Sequence, residues 1–120
     1  FVQTAVAGVG GGGASAPDVE TVGSSDFTNN AYTVTTHTNN ESIFLIDNSS
    51  TAVTITIPTA STAGTGYKYH IKMLGTASVT VQSQTISSGT NQIDGANSFV
   101  LSVQNSSLTI VSNNSTWFII

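Results

Sequence analysis

Between Thr51 and Pro58 the chain reads Thr-Ala-Val-Thr-Ile-Thr-Ile-Pro, so that Val53, Ile55 and Ile57 fall on one side of an extended strand and Thr54 and Thr56 on the other. Pro58 then ends the run, because it cannot donate to a strand ladder. This period of two, broken after a few residues, constrains the fold more than any other feature because it recurs along the chain. Ala31 to His37 alternates and stops at Asn39-Asn40, and Ser42-Ile43-Phe44-Leu45-Ile46-Asp47 is a continuous apolar run of the kind expected when both faces of a strand are covered. Tyr67, Tyr69, Ile71 and Met73 alternate with Lys68, His70 and Lys72 up to Gly75. Val79 and Val81 mark a further run, followed by turn-rich stretches at Ser87-Ser88-Gly89 and Asp94-Gly95. Phe99, Leu101 and Val103, then Leu108 and Ile110, continue the alternation, and Asn113-Asn114-Ser115 turns the chain before Trp117-Phe118-Ile119-Ile120.

The expected architecture is therefore all-β, an antiparallel β-sandwich or jelly-roll-like head of about eight or nine short strands. No helical periodicity and no fixed repeat of about 20–50 residues is visible. The segment Thr59 to Gly66, rich in small residues, reads as a loop. At 120 residues the chain holds one core. Residues 1–26 contain Ala5 through Pro17, a Gly- and Ala-rich stretch, and read as a flexible linker or as an extended segment that orders by packing along neighbouring copies. The folded head is expected over residues 27–120. With Phe1 in place of an initiator methionine, the chain is expected to be a processed product or a piece of something longer.

Charge excludes more functions than any motif supplies. Charged residues make up 7% of the chain, where about 25% is usual, and solubility falls to Ser, Thr and Asn, which together exceed a third of it. These residues suit turns and strand faces and build helices poorly. A net charge of −4 with two cations leaves nothing to neutralise a phosphate backbone or hold an anionic membrane, so neither nucleic acid nor membrane insertion is expected. No apolar run reaches the length of a membrane-spanning helix, and no stretch has the layout of a secretory signal. Without cysteine, disulfides and thiolate metal sites are absent, and extracellular toughness has to come from packing or from oligomerisation.

The chemical motifs are weak. Gly8, Gly10 and Gly13 match a dinucleotide-binding spacing, but Pro17 follows them and no helix pattern does. Gly64-Thr65-Gly66-Tyr67-Lys68 lacks the spacing and the hydroxyl residue of a phosphate loop. Only His37 and His70 could serve a nucleophile as base, and no Gly-x-Ser-x-Gly elbow exists. Glu41, Asp47 and Asp94 stand at strand ends or turns, where acids serve local hydrogen bonds, and do not form an evident pair. No two metal-ligating residues sit at a recognisable spacing, and no cofactor is expected. One constellation remains: Lys68, His70 and Lys72 share a strand face and include both cations of the chain. They are candidates for a subunit contact or an anion contact, against a plainer reading as a solvated face with Tyr69, Ile71 and Met73 buried behind. The Asn-x-Ser/Thr sequons at Asn40, Asn48, Asn105 and Asn114 follow from composition. A surface so rich in Asn, Ser, Thr and Tyr suits glycan binding without locating a site.

The order of several segments is more specific than any one of them. Asn-Asn-Ala-Tyr-Thr-Val at 29–34 precedes Ile43-Phe44-Leu45-Ile46-Asp47-Asn48 and Ala52-Val53-Thr54-Ile55-Thr56-Ile57-Pro58. A small-residue loop leads to Ile71-Lys72, then come Val79-Thr80-Val81, Ile93-Asp94-Gly95-Ala96, Phe99-Val100-Leu101, Ser107 to Ser112 and Trp117 to Ile120. Over residues 27–120 this series resembles the C-terminal head or tip domains of bacteriophage tail fibres and related virion fibre proteins. It departs from them at the last turn, where Asn113-Asn114-Ser115 stands in place of an Asp-Gly-type turn. The resemblance implies a homotrimeric, non-catalytic β-sandwich head at the exposed end of a virion fibre. Such a head would contact a host cell-surface receptor or glycan and join other virion proteins through its N-terminal side. It carries over no catalytic residues, and receptor contacts in such heads lie in variable loops. A trimer also agrees with a thin core and a nearly uncharged surface. The competing expectations are a structural module that cements capsid subunits and a monomeric bacterial adhesin or carbohydrate-binding module.

Overall fold

The computed structural model describes residues 16–35 and 39–120. Nine strands form among them: β1 (Asp18–Val22), β2 (Ala31–Thr33), β3 (Glu41–Ile46), β4 (Val53–Ile57), β5 (Lys68–Met73), β6 (Val79–Ser83), β7 (Phe99–Leu101), β8 (Ser107–Ser112) and β9 (Trp117–Ile119). They make two mixed sheets. The first has the order β1-β3-β5-β8-β9 and the second β2-β4-β6-β7.

The all-β class holds, but the antiparallel arrangement does not. From β1 to β6 the chain alternates between the sheets, so each strand stacks in parallel on the one two places earlier, as β1 with β3, β3 with β5, β2 with β4 and β4 with β6. Only the last three strands pair antiparallel, β7 with β6, β8 with β5 and β9 with β8. The first six strands are thus three turns of a parallel winding, and the last three close it. Parallel neighbours need a long crossover, and here the crossover is a strand of the opposite sheet. Val22, Ile46 and Met73 stand in register, so successive turns take 24 and then 27 residues. This winding is the repeat that the sequence did not reveal: its turns differ in length and share no residue beyond an apolar alternation.

The core lies between the sheets. Ile46, Tyr69, Ile71, Met73, Ile110 and Trp117 of the first sheet meet Ile55, Ile57, Val79 and Val81 of the second, all fully buried. At roughly 25 cal/mol per Å² of apolar surface, each such side chain contributes about 1.5–3 kcal/mol. An aromatic series crosses the layers. The Tyr32 ring lies 6.3 Å from Phe44, Phe44 lies 6.0 Å from Tyr69, and Tyr69 lies 5.5 Å from Trp117. β3 is covered on one face only, by the core at Ser42, Phe44 and Ile46, while Ile43 and Leu45 stay half-buried on the outside. The stretch 59–66 contains a single helical turn, α1 (Ala60–Ala63), which Thr59 caps by accepting from the Thr62 N–H.

β1 and the 3₁₀ turn Ser24–Asp26 fall within residues 1–26, read from the sequence as a linker or an extended segment. Five residues of β1 pair with β3, so the folded body extends upstream of residue 27 to Asp18. The linker reading of residues 1–15 lies outside the described residues.

Candidate functional site

Two regions bear on function, one on the outer face of the first sheet and one at a corner between the sheets. The register fixes the outer face row by row. Val19, Ile43, His70 and Thr109 form one row, which Ile120 extends through its N–H to the Thr109 carbonyl at 3.0 Å. A second row runs Glu41, Lys68, Val111, Phe118, and a third Thr21, Leu45, Lys72, Ser107. Lys68, His70 and Lys72 therefore share a face, with fully buried Tyr69, Ile71 and Met73 behind them. They form a polar column between two apolar flanks, Val19, Ile43 and Leu45 on one side and Val111, Phe118 and Ile120 on the other. Val19 is 61% exposed, Phe118 42% and Ile120 65%, an unusual amount of large apolar surface on one sheet face.

The column's own partners are local. His70 Nε2 lies 2.5 Å from Glu41 Oε2, and its Nδ1 lies 3.0 Å from Thr109 Oγ1. Lys72 Nζ donates to the Asn105 carbonyl at 2.9 Å. Lys68 makes no side-chain hydrogen bond with a described residue and borders an open hollow with Asn40, Thr65 and Gly66. The series Thr109–His70–Glu41 has the order hydroxyl, imidazole, carboxylate. It lies on a sheet face, where β5 pairs with β3 and with β8 in strand ladders. It clamps β3, β5 and β8 together. The other acids stand apart from it: Asp47 follows β3, roughly 20 Å along the strand from Glu41, and Asp94 Oδ1 accepts from the Ile119 N–H at 3.0 Å. Among the described residues no three His, Asp or Glu side chains gather as a metal site, and no helix is long and apolar enough to cross a membrane. His37, Gly8, Gly10 and Gly13 lie outside the described residues.

The second region was not foreseen. Where the chain passes from the first sheet to the second, an open hollow of about 390 Å³ is lined by Ser24, Phe27, Asn29, Asn30, Ser49 and Thr51, with buried Asn48 at its base. A tight turn builds its rim. The N–H of Thr28 donates to the Ala31 carbonyl at 2.9 Å and that of Ala31 to the Thr28 carbonyl at 3.0 Å, around Asn29 and Asn30 at φ 51° and 61°. Two successive left-handed residues are what a type I′ turn requires, and Asn tolerates them best after Gly. Asn48 ties the base to the next turn of the winding by donating to the carbonyls of Thr51 at 3.0 Å and Ala77 at 2.7 Å. The side chains of Ser24, Asn29, Asn30, Ser49 and Thr51 make no hydrogen bond with any described residue. The only sequence signal for this hollow was the pair Asn29-Asn30, which turn chemistry alone also explains.

Three phenols bear on the electrostatics. Burial, and then the hydrogen bond its hydroxyl donates to Glu20 at 2.9 Å, push Tyr32 up to about 12. Burial also raises Tyr67 and, more strongly, Tyr69.

No protein-family model and no curated protein matches the chain.

Proposed function

We propose that this domain is the head of a virion fibre or spike, that it acts as a homotrimer, and that it attaches to a host surface without catalysing a reaction. The observation that carries the reading is the outer face of the first sheet. Val19, Ile43, Leu45, Val111, Phe118 and Ile120 give it two apolar flanks that a lone domain would leave wet. A second copy of the chain suits this face. Glu41 and Lys72 on this face are already partnered within the chain, by His70 and the Asn105 carbonyl, so packing copies together leaves Lys68 as the cation that a polar group of the neighbouring copy would meet. The resemblance of the ordered strand motifs to those of fibre heads supports the same reading.

The test begins with the solution mass, measured by light scattering coupled to size exclusion. The expected species has three times the 12.3 kDa of the chain. Replacing Phe118→Ser and Ile120→Ser together should shift it to a monomer that keeps its β circular-dichroism spectrum. A wild-type monomer overturns the self-sufficient trimer. A trimer that adsorbs to no cell favours a module that cements virion subunits.

A further inference from the structure

The corner hollow has a composition that restricts what it could hold. Besides Phe27 and Val53 its walls are amides and hydroxyls, each able to donate and accept, and apart from Asn48 none of those side chains hydrogen-bonds a described residue. A ligand bearing neighbouring hydroxyls matches such walls, because every hydroxyl is donor and acceptor at once. Phe27 is half-buried and leaves part of its ring to the hollow, an apolar plate for the C–H face of a sugar ring. No lining residue is charged. The acids nearest in sequence are Asp47, next to Asn48, and Asp26, next to Phe27, whose Oδ2 accepts from the Gly23 N–H at 2.9 Å; such acids would repel an anion. The volume of about 390 Å³ falls at the small end of the roughly 300–1,000 Å³ typical of small-molecule sites. The rim is rigid, since the Asn30 carbonyl accepts from the Thr54 N–H at 2.9 Å and so fixes the turn to β4.

We propose that this hollow binds a neutral saccharide, with Phe27 stacking on the ring and Asn29, Asn30 and Thr51 hydrogen-bonding its hydroxyls. The biological role of this site rests on the attachment reading above, while its chemistry stands apart from it. Asn29 and Asn30 then serve two ends: their backbones form the turn and their amides face the ligand. The two roles separate cleanly by mutation, because glycine keeps a left-handed turn and removes only the amide.

The experiment is a heteronuclear NMR titration of the ¹⁵N-labelled chain with glucose, galactose, mannose, N-acetylglucosamine and lactose, and with glucuronate as the anionic control. At least one neutral sugar should give saturating shifts confined to Phe27, Asn29, Asn30, Ser49 and Thr51, and glucuronate should give weaker ones. Asn30→Gly should weaken that binding about fivefold, the loss of one hydrogen bond, with no fall in melting temperature. Phe27→Leu, which keeps apolar packing and removes the ring, should weaken it as well. Shifts that are absent, that cluster elsewhere, or that survive both substitutions unchanged overturn the site, and so does glucuronate binding as tightly as glucose. Adsorption of the wild-type chain to a panel of intact bacterial strains separates the two proposals. Adsorption without sugar shifts leaves attachment standing and removes this site. Sugar shifts at the hollow without adsorption to any strain support the site and remove the attachment role.

Discussion

Asn91 is 5% exposed and sits at φ 58°, a left-handed backbone that costs most side chains about 1–2 kcal/mol. Its side chain accounts for the choice: Oδ1 accepts from the buried Ala60 N–H at 2.8 Å and Nδ2 donates to the Thr85 carbonyl at 3.0 Å. Asn91→Ala should destabilise by about 2–4 kcal/mol, since it strands both groups and strains the backbone. Asn91→Gly should recover the backbone part alone, and paired denaturant curves measure the difference. Gly75 works by absence. A Cβ there would collide with the Asn48 side chain and the Ser49 backbone nitrogen, so Gly75→Ala should cost about 1–3 kcal/mol in the same measurement. The tyrosines set an alkaline limit. An unfolded phenol loses its proton near 10, whereas folded Tyr32 holds its own to about 12, and Tyr67 and Tyr69 shift the same way. Between those values the folded chain binds more protons than the unfolded one, so its stability is complete below pH 10 and falls as pH rises beyond it. Phenolate absorbance should therefore appear above the pH of free tyrosine, together with a falling melting temperature.

Among the elements, β5 and β1 mark the extremes of protection in the first sheet. β5 is paired on both sides and carries Tyr69, Ile71 and Met73 at 0% exposure, whereas β1 is an edge strand with Val22 as its one buried residue. Amide hydrogen exchange should be slowest in β5 and fastest in β1, and equal protection would contradict this pairing. The clamp of Glu41, His70 and Thr109 spans β3, β5 and β8, but its pair is about a third exposed at Glu41. Glu41→Gln should thus cost less than about 1 kcal/mol by denaturant titration. Element positions were legible in the sequence wherever alternation was strict, as in Val53–Ile57, Lys68–Met73 and Val79–Ser83. β1 was not, because four of its five residues are exposed and Asp18-Val19-Glu20-Thr21 shows no apolar side. β2 covers the start of its alternating run, and among the described residues just beyond it Val34 still donates its N–H to the Thr56 carbonyl at 2.8 Å.

For the whole molecule, the winding makes most pairings distant in sequence, since each parallel neighbour lies 23 to 27 residues away. Closing such loops before they are rewarded slows folding, so refolding from denaturant should take milliseconds to seconds. A stopped-flow phase complete in microseconds would contradict that. The candidate hollow is likewise a whole-molecule property. Phe27, Asn29 and Asn30 reach Ser49 and Thr51 because one turn of the winding stacks on the next. Lys68, His70 and Lys72 were legible as a set because a strand puts alternate residues on one face, which is local geometry. Their neighbours Ile43 and Thr109 were not, because register between strands far apart in sequence is settled by packing.

The sequence by itself determined the class of structure and the chemistry withheld from it. Period-two alternation and turn residues dictate strands, and 7% charge with no cysteine removes whole families of ligands, whatever the topology. Only the tertiary structure decided the direction in which strands pair. Alternation is identical in parallel and antiparallel ladders, and a short turn can return a strand to its neighbour or send it across the core to the opposite sheet. That choice follows from how the apolar faces of Phe44, Ile55, Tyr69 and Trp117 fill one core together. Both the outer face and the corner hollow exist because of it.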